Sequence, residues 1–448
     1  MKTTAQRLLA LALGCAFASH LPAQPPSLAI DERAKAVESE LIAWRRDIHQ
    51  HPELGNQELR TARLVADHLR TLGLRVRIGV AGTGVIGVLE GGRPGPAVAL
   101  RADMDALPVE EATGLPFASK ARGMYRGKDS PVMHACGHDA HVAILMATAK
   151  VLSAMRAQLA GSVVFLFQPA EEGPADFTPD GKRPFGAQRM VLDGALDNPK
   201  VEAIFGLHVA AGIPSGTLRW RSGPALSAAD RFSIKVQGRQ THGALPWRGV
   251  DPIVLASQIV LGLQTIQSRQ VDVTQEPSMI SIGQIHGGTR ENIIPDFVEL
   301  EGTIRSFDSA MQDDIHARIV RTAELIARSG GGSAEIDIVK LFATTINDRS
   351  LSAQMGPTLQ RVMGPGRWND SADKRSGSED FPFYLDKTPG LYMHLGVTPP
   401  EQVATAAANH SPQFFIDESA LVHGVRVMAN LAVDYLSGAP AGSAATAN

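Results

Sequence analysis

Cysteine is scarce in this chain: its 448 residues contain two, Cys15 and Cys136. Cys15 lies in an N-terminal run that reads as a removable leader. The exported chain would then keep Cys136 alone and could form no internal disulfide. A long basic run is also missing. With 43 Lys and Arg against 46 Asp and Glu, the net charge of −3 argues against nucleic acid as the main partner. There is no internal repeat, and beyond the leader no stretch is apolar and long enough to span a bilayer. What is present, 44% hydrophobic and 20% charged residues, describes a soluble globular protein. Its length is too great for one ordinary core, so two domains are expected.

The leader covers residues 1–23. Lys2 and Arg7 precede L-L-A-L-A-L-G-C-A-F-A, and small residues follow, with cleavage after Ala18 or Ala23. The expected location is therefore exported, periplasmic or secreted. A lipid anchor on Cys15 is the weaker reading, because A-L-G-C is a poor lipobox. In an oxidising compartment a lone thiol at Cys136 is a liability unless it is buried or held by a metal.

Apolar residues at three- and four-residue spacing predict helix from Asp31 to Leu72. Strands are expected at 85–90, 97–103, 162–168 and 202–208, with a helix at 140–152. This alternation indicates an α/β domain around a largely parallel sheet flanked by helices. From about residue 223 the order becomes β-α-β-β-α-β, with strands at 231–238, 278–285, 297–305 and 334–341. That is a ferredoxin-like α+β arrangement, read here as a lid or dimerisation domain inserted at 223–342. The catalytic domain would comprise 31–222 and 343–438, and 439–448 reads as a disordered tail.

Four pieces rich in metal-ligand residues fall at strand ends or in the loops after them: D-M-D (103–105), H-A-C-G-H-D (134–139), E-E (171–172) and G-L-H (206–208). Ligands gather outside the carboxyl ends of strands in open α/β sheets, so one rim should collect all four. Cys136 and His138 flank Gly137, and a tight loop could aim thiolate and imidazole at one zinc-like ion. Glu171 and Glu172 follow a strand-ending proline. Beside a metal, one could bind the ion while the other accepts a proton from its water. His208 ends an apolar strand, where a ligand and a merely hydrogen-bonded histidine are equally plausible. Asp105 could orient a ligand histidine from behind.

Together R-R-D-I-H-Q-H-P-E-L-G, A-L-R-A-D-M-D-A-L-P-V, M-H-A-C-G-H-D-A-H, F-Q-P-A-E-E-G, G-R-Q-T-H-G-A-L-P, N-I-I-P-D, S-E-D-F and N-H-S-P-Q-F carry a resemblance. The chain resembles, from about residue 40 to 436, the metallo-amidohydrolases that include hippurate hydrolases, auxin-conjugate hydrolases, aminoacylases and glutamate-releasing carboxypeptidases. It is most similar to the subgroup using Cys-Gly-His. Other members place a histidine where this chain has Asp103.

The resemblance implies two divalent ions, zinc or else manganese or cobalt, held by Cys136, His138, Glu172, His208 and His410, with the thiolate bridging. Glu171 would be the general base. The inserted domain would form a homodimer and carry His242 into the partner's active site, while Asn292 and Arg305 would hold the substrate's carboxylate. The implied reaction is hydrolysis of the amide bond of an N-acyl amino acid, or alternatively of a dipeptide or carboxy-terminal peptide. A non-catalytic binding protein is disfavoured because no ligand or base is missing, and a nucleobase deaminase because no P-C-x-x-C element is present. His49 and His51 are expected to pack at a helix end, and His141 to lie in the core or behind the ligands. Asp139 is expected to cap its helix, and His394 and His423 have no assigned role. Departures in the loops after Glu172, before the metal loop and around His242 put the substrate preference in doubt.

Overall fold

A computed structural model describes residues 26–176 and 183–438 of the chain. The leader and the tail therefore lie outside the described residues. Among them, no helix is long and apolar enough to cross a membrane.

The larger sheet has eight strands. Its centre is four parallel strands in the order Ala160–Gln168, Arg93–Asp103, Ala203–Pro214 and Gly390–Thr398. These are nearly continuous apolar runs, as buried parallel strands require. Antiparallel strands Gly84–Glu90 and Arg75–Val80 extend one side. Two short strands, Leu218–Arg219 and Trp368–Asn369, finish the other. Helices His138–Ser153 and Leu421–Ser437 pack on one face around a core that includes Phe165, Phe205, Val425 and Leu431. The opposite face carries a second core around Phe381, Tyr384 and Tyr392.

The second sheet is antiparallel, in the order Ser278–Gly287, Phe297–Ser306, Ala228–Gln237 and Ser333–Phe342. Helices Pro252–Thr265 and Ser309–Ser329 cover it and share its own core of Phe232, Ile259, Leu300 and Ile319. Asp251 caps the first helix by accepting from the amides of Ile253 and Val254, and Asp308 caps the second through Met311. This is the β-α-β-β-α-β order expected of the segment.

Three expectations need correction. The helical stretch from Asp31 to Leu72 is three helices, Pro26–Ala36, Glu38–Gln50 and Leu59–Thr71, the first two broken at Val37 and the last two parted by the turn around H-P-E-L-G. The strand at 202–208 runs on to Pro214, so His208 is mid-strand rather than at its end. It nevertheless lies past Gly206, the last residue paired with the neighbouring strand Arg93–Asp103, and so reaches the carboxyl rim. Asp139 caps nothing: the helix begins behind Gly137 without a side-chain cap. Its carboxylate is instead bound by Arg45 and His49, at 2.8 and 2.9 Å.

Candidate metal centre and cleft

At the carboxyl rim the strand-end segments converge. Cys136 Sγ lies 3.3 Å from His208 Nε2, and His410 Nε2 lies 2.9 Å from Glu172 Oε1. Three overlapping clusters have donor atoms close enough to share ions: Cys136 with His138 and His208, Cys136 with Glu172 and His410, and His138 with Glu171 and Glu172. Cys136, His138 and Glu172 each belong to two of them, so the three clusters form one continuous donor set. All five residues expected as ligands, and Glu171, are thus brought together. They line one cleft of about 390 Å³ with Arg305, Arg375, His394 and Tyr392, apart from His138, which lies wholly buried behind it.

Local backbone makes this possible. Gly137 sits between Cys136 and His138 at φ +100°, and a Cβ there would meet Val209 Cγ2 at 2.3 Å. Only glycine suits both the conformation and the space. Ala170 and His410 are non-glycine residues held at φ +51° and +72°, conformations that cost energy and that cluster at functional sites. Asn409 ties three segments together. Its amide donates to the carbonyls of Cys136 and Val209, and its Oδ1 accepts from Ala211 N.

Hydrogen bonding prepares the donors for metal. His208 Nδ1 donates to Val209 O at 2.6 Å, which fixes the tautomer and leaves Nε2 with its lone pair toward Cys136. Burial, then the neighbouring His141, holds this imidazole well below its ordinary pKa, in the neutral form that ligates. Neither ring nitrogen of the buried His138 makes a well-formed hydrogen bond. Nδ1 faces Asp105 Oδ1 at 3.3 Å, and an orphaned buried imidazole calls for a missing partner. Asp105 thus stands beside this imidazole. It also accepts from the backbone amides of Glu171 and Glu172 at 3.0 and 2.9 Å, aligning both. The donor set therefore fits a pair of divalent ions.

Burial raises the Glu171 carboxyl well above its ordinary pKa, reinforced by the nearby acids Glu379, Glu172 and Asp380. A carboxylate so placed takes up a proton readily. The acids behind it are balanced by Arg101, whose guanidinium, 2% exposed for the whole residue, donates to Asp103, Glu379, Asp380 and Gln168.

His141 is not free to ligate. Its Nδ1 is engaged by Asp103 and its Nε2 accepts from Val209 N, so it supports the site from behind, as expected. His49 is buried against Asp139 and Glu111, and His51 returns to the Asp47 carbonyl on the surface.

Arg305 lines the cleft and donates to Ser378 Oγ. His242 and Asn292 do not reach it. They sit together on the smaller domain, where the amide of Gly243 donates to Asn292 O and His242 pairs with Ile293, with His242 exposed. The structure thus separates Asn292 from Arg305 within one chain. Sequence reading missed the wiring of Arg101, Glu379 and Asp380, although S-E-D-F was among the matching motifs. It also left His394 without a role, yet that ring lies 6.1 Å from His208.

Known proteins are similar to this chain along most of its length. The model of peptidase family M20/M25/M40 matches residues 99–434. Thermostable carboxypeptidase 1 of Saccharolobus solfataricus is 38% identical over 403 residues, 90% of this chain and 96% of that one. N-acetylcysteine deacetylase of Bacillus subtilis is 37% identical, over 89% of this chain and 97% of that one. IAA-amino acid hydrolase ILR1-like 2 of Arabidopsis thaliana is also 37% identical, over 88% and 85%. Among solved structures, the Bacillus subtilis YXEP protein, a dinuclear metal binding peptidase from the M20 family, superposes with a TM-score of 0.74 at 34% identity. That match covers 90% of this chain and 99% of the other. With the fold, the rim cluster and these relatives in agreement, the chain belongs to peptidase family M20/M25/M40, whose members are metal-dependent hydrolases of amide bonds.

Proposed function

We propose that the protein hydrolyses the amide bond of N-acyl amino acids, with two divalent ions held by Cys136, His138, Glu172, His208 and His410. The observation carrying this reading is the convergence of those five side chains beside one buried, proton-seeking carboxylate, Glu171. Relatives named as a deacetylase and an amino acid conjugate hydrolase support it. The relative named as a carboxypeptidase keeps a peptidase reading alive.

When bound, the ions would supply Lewis-acid chemistry, activating water and polarising the amide carbonyl. Glu171 would accept the proton from water and pass it to the departing amine nitrogen. Arg305 would hold the substrate's free carboxylate and so orient the scissile bond. Zinc is the metal best suited to the thiolate, with manganese or cobalt compatible with the remaining donors. His242 and Asn292 would act across a homodimer, His242 donating to the developing oxyanion. Their absence from the lining of their own cleft supports this, as does the exposure of Trp247 and Leu261, 75% and 71%, on the same domain.

The direct test is a hydrolysis screen of N-acetyl and N-benzoyl amino acids and dipeptides with metal-reconstituted protein. Turnover confined to dipeptides would replace the amidohydrolase reading with the peptidase one. In Arg305→Gln the loss of a charged hydrogen bond should raise KM by about tenfold to hundredfold, with a smaller change in kcat. An unchanged KM would remove Arg305 from substrate binding. In Cys136→Ala, metal content measured by elemental analysis should fall, because the thiol belongs to two donor clusters. Retention of both ions would end the bridging assignment.

A further inference from the structure

A second cavity opens beside the metal cleft. It has a volume of about 120 Å³ and shares Arg375, Tyr392 and His394 with the cleft. Arg219 and Arg221 complete its polar lining, with one carboxylate, Asp373. Three guanidiniums thus face a single acid.

Sheet register explains why these groups meet. His394 pairs with His208 on one neighbouring strand and with Arg219 on the other. Residues paired across strands point to the same face, with neighbouring strands about 4.8 Å apart. His208, His394 and Arg219 therefore form a row leading from the candidate metal ligand into the cavity. The adjacent residues Leu395 and Leu218 point the other way, into the core. Arg375 reaches the same place from its own segment, where its backbone amide donates to Ala225 O.

These cations are not spent on the protein itself. Among the described residues no ion pair holds Arg219, Arg221 or Arg375, and Nε of both Arg219 and Arg221 is buried without a hydrogen-bond partner. Arg221 is tied by one bond, from Nη1 to Ala372 O. Arg375 is more exposed than Arg219 or Arg221, and partial burial, and next the proximity of Arg219, hold it below its ordinary pKa, so the two guanidiniums repel. Nearby Lys374 differs, being paired with Glu276. Unsatisfied buried donors and like charges in a concave site are costly unless an anion completes them. Guanidinium forks match a carboxylate in particular.

We propose that this cavity is an anion subsite of the metal cleft, so that the preferred substrate carries a second carboxylate besides the one assigned to Arg305. The inference rests on the amidohydrolase reading for the identity of the reaction, but the subsite can be read without turnover. The second carboxylate has two chemical sources, the acyl group or the side chain of the released amino acid. N-succinyl-methionine and N-acetyl-glutamate distinguish them, with N-acetyl-methionine as the reference.

The test compares kcat/KM for the three substrates in the parent, Arg219→Gln and Arg375→Gln, which alter different segments. One dicarboxylate should exceed the reference by about tenfold to hundredfold, the range of a hydrogen-bonded charge, and both variants should lose most of that ratio. Binding of glutarate against butyrate to the metal-loaded protein, measured by calorimetry, reads the same pocket whether or not any acyl amino acid is hydrolysed. Tighter binding of glutarate that weakens in both variants supports the subsite even if all three substrates fail, an outcome that would count against the amidohydrolase reading alone. Equal affinity for glutarate and butyrate, or variants that leave the difference intact, would overturn the subsite while leaving the reaction standing.

Discussion

Glu171→Gln should lose about a hundredfold to ten-thousandfold of its hydrolytic rate, the usual contribution of a positioned acid-base group, while binding metal as the parent does. The expected split follows from the position of Glu171. It lies buried at the rim, with its carboxylate 3.9 Å from His138 Nε2 and its backbone amide held by Asp105. Of the three donor clusters at the rim, the adjacent Glu172, 2.9 Å from His410, enters two and Glu171 only one. Glutamine keeps the shape and cannot take up the proton, so kcat should fall far more than KM rises. Full activity in this variant would assign the base elsewhere. Loss of metal alongside activity would make Glu171 a ligand.

Arg45→Met should be the most destabilising single change away from the cleft. Arg45 is 1% exposed and Asp139 wholly buried. Nε of Arg45 lies 2.8 Å from Asp139 Oδ2, and Nη1 lies 3.2 Å from Glu418 Oε1. Methionine would fill most of the volume but leave Asp139 charged and short of a partner. Breaking a buried pair in this way costs about 3–5 kcal/mol, read as a lower urea midpoint. A loss under about 1 kcal/mol, the scale of an exposed pair, would contradict it. Burial pushes the Asp139 carboxyl up, but Arg45 and His49 outweigh it and hold the group below 3.8. Its contribution is therefore present above pH 3.8 and lost as pH falls through the depressed folded value. His49 shifts the other way. Burial lowers it, yet Asp139 and Glu111 raise it above 6.5, so its share is complete below that pH and lost as pH rises through the folded value. The network should stabilise the protein most between these limits, and Arg45→Met should flatten the acid limb, where Arg45 holds Asp139 down, but not the basic limb, because Arg45 opposes the upward shift of His49.

Much of the site was legible because its residues are local in kind even when distant in sequence. Cys136, Gly137 and His138 announce a tight ligand loop, and Glu171 and Glu172 follow a proline that ends a strand. The long apolar runs at 162–168 and 140–152 were equally readable, since burial on all sides leaves a continuous hydrophobic signature. What could not be read was pairing. Gly390–Thr398 is interrupted by His394 and Gly396, and it gains its place only by joining a strand more than a hundred residues earlier. The row from His208 through His394 to Arg219 exists only in that register. Arg45 and Asp139 are 94 residues apart, so nothing near Asp139 distinguishes a charge-paired group from a helix cap. The resemblance named Asn292 and Arg305 together, and both fall on the smaller domain, yet only Arg305 lines the cleft.

Titration of the chelated protein with zinc or manganese, following hydrolysis of an N-acetyl amino acid alongside bound metal, tests the central assignment most directly. Activity should be absent without metal and should saturate at two ions per chain, with Cys136→Ala failing to reach that stoichiometry. Undiminished hydrolysis by the metal-free protein, or saturation with no hydrolysis of any amide, would contradict it.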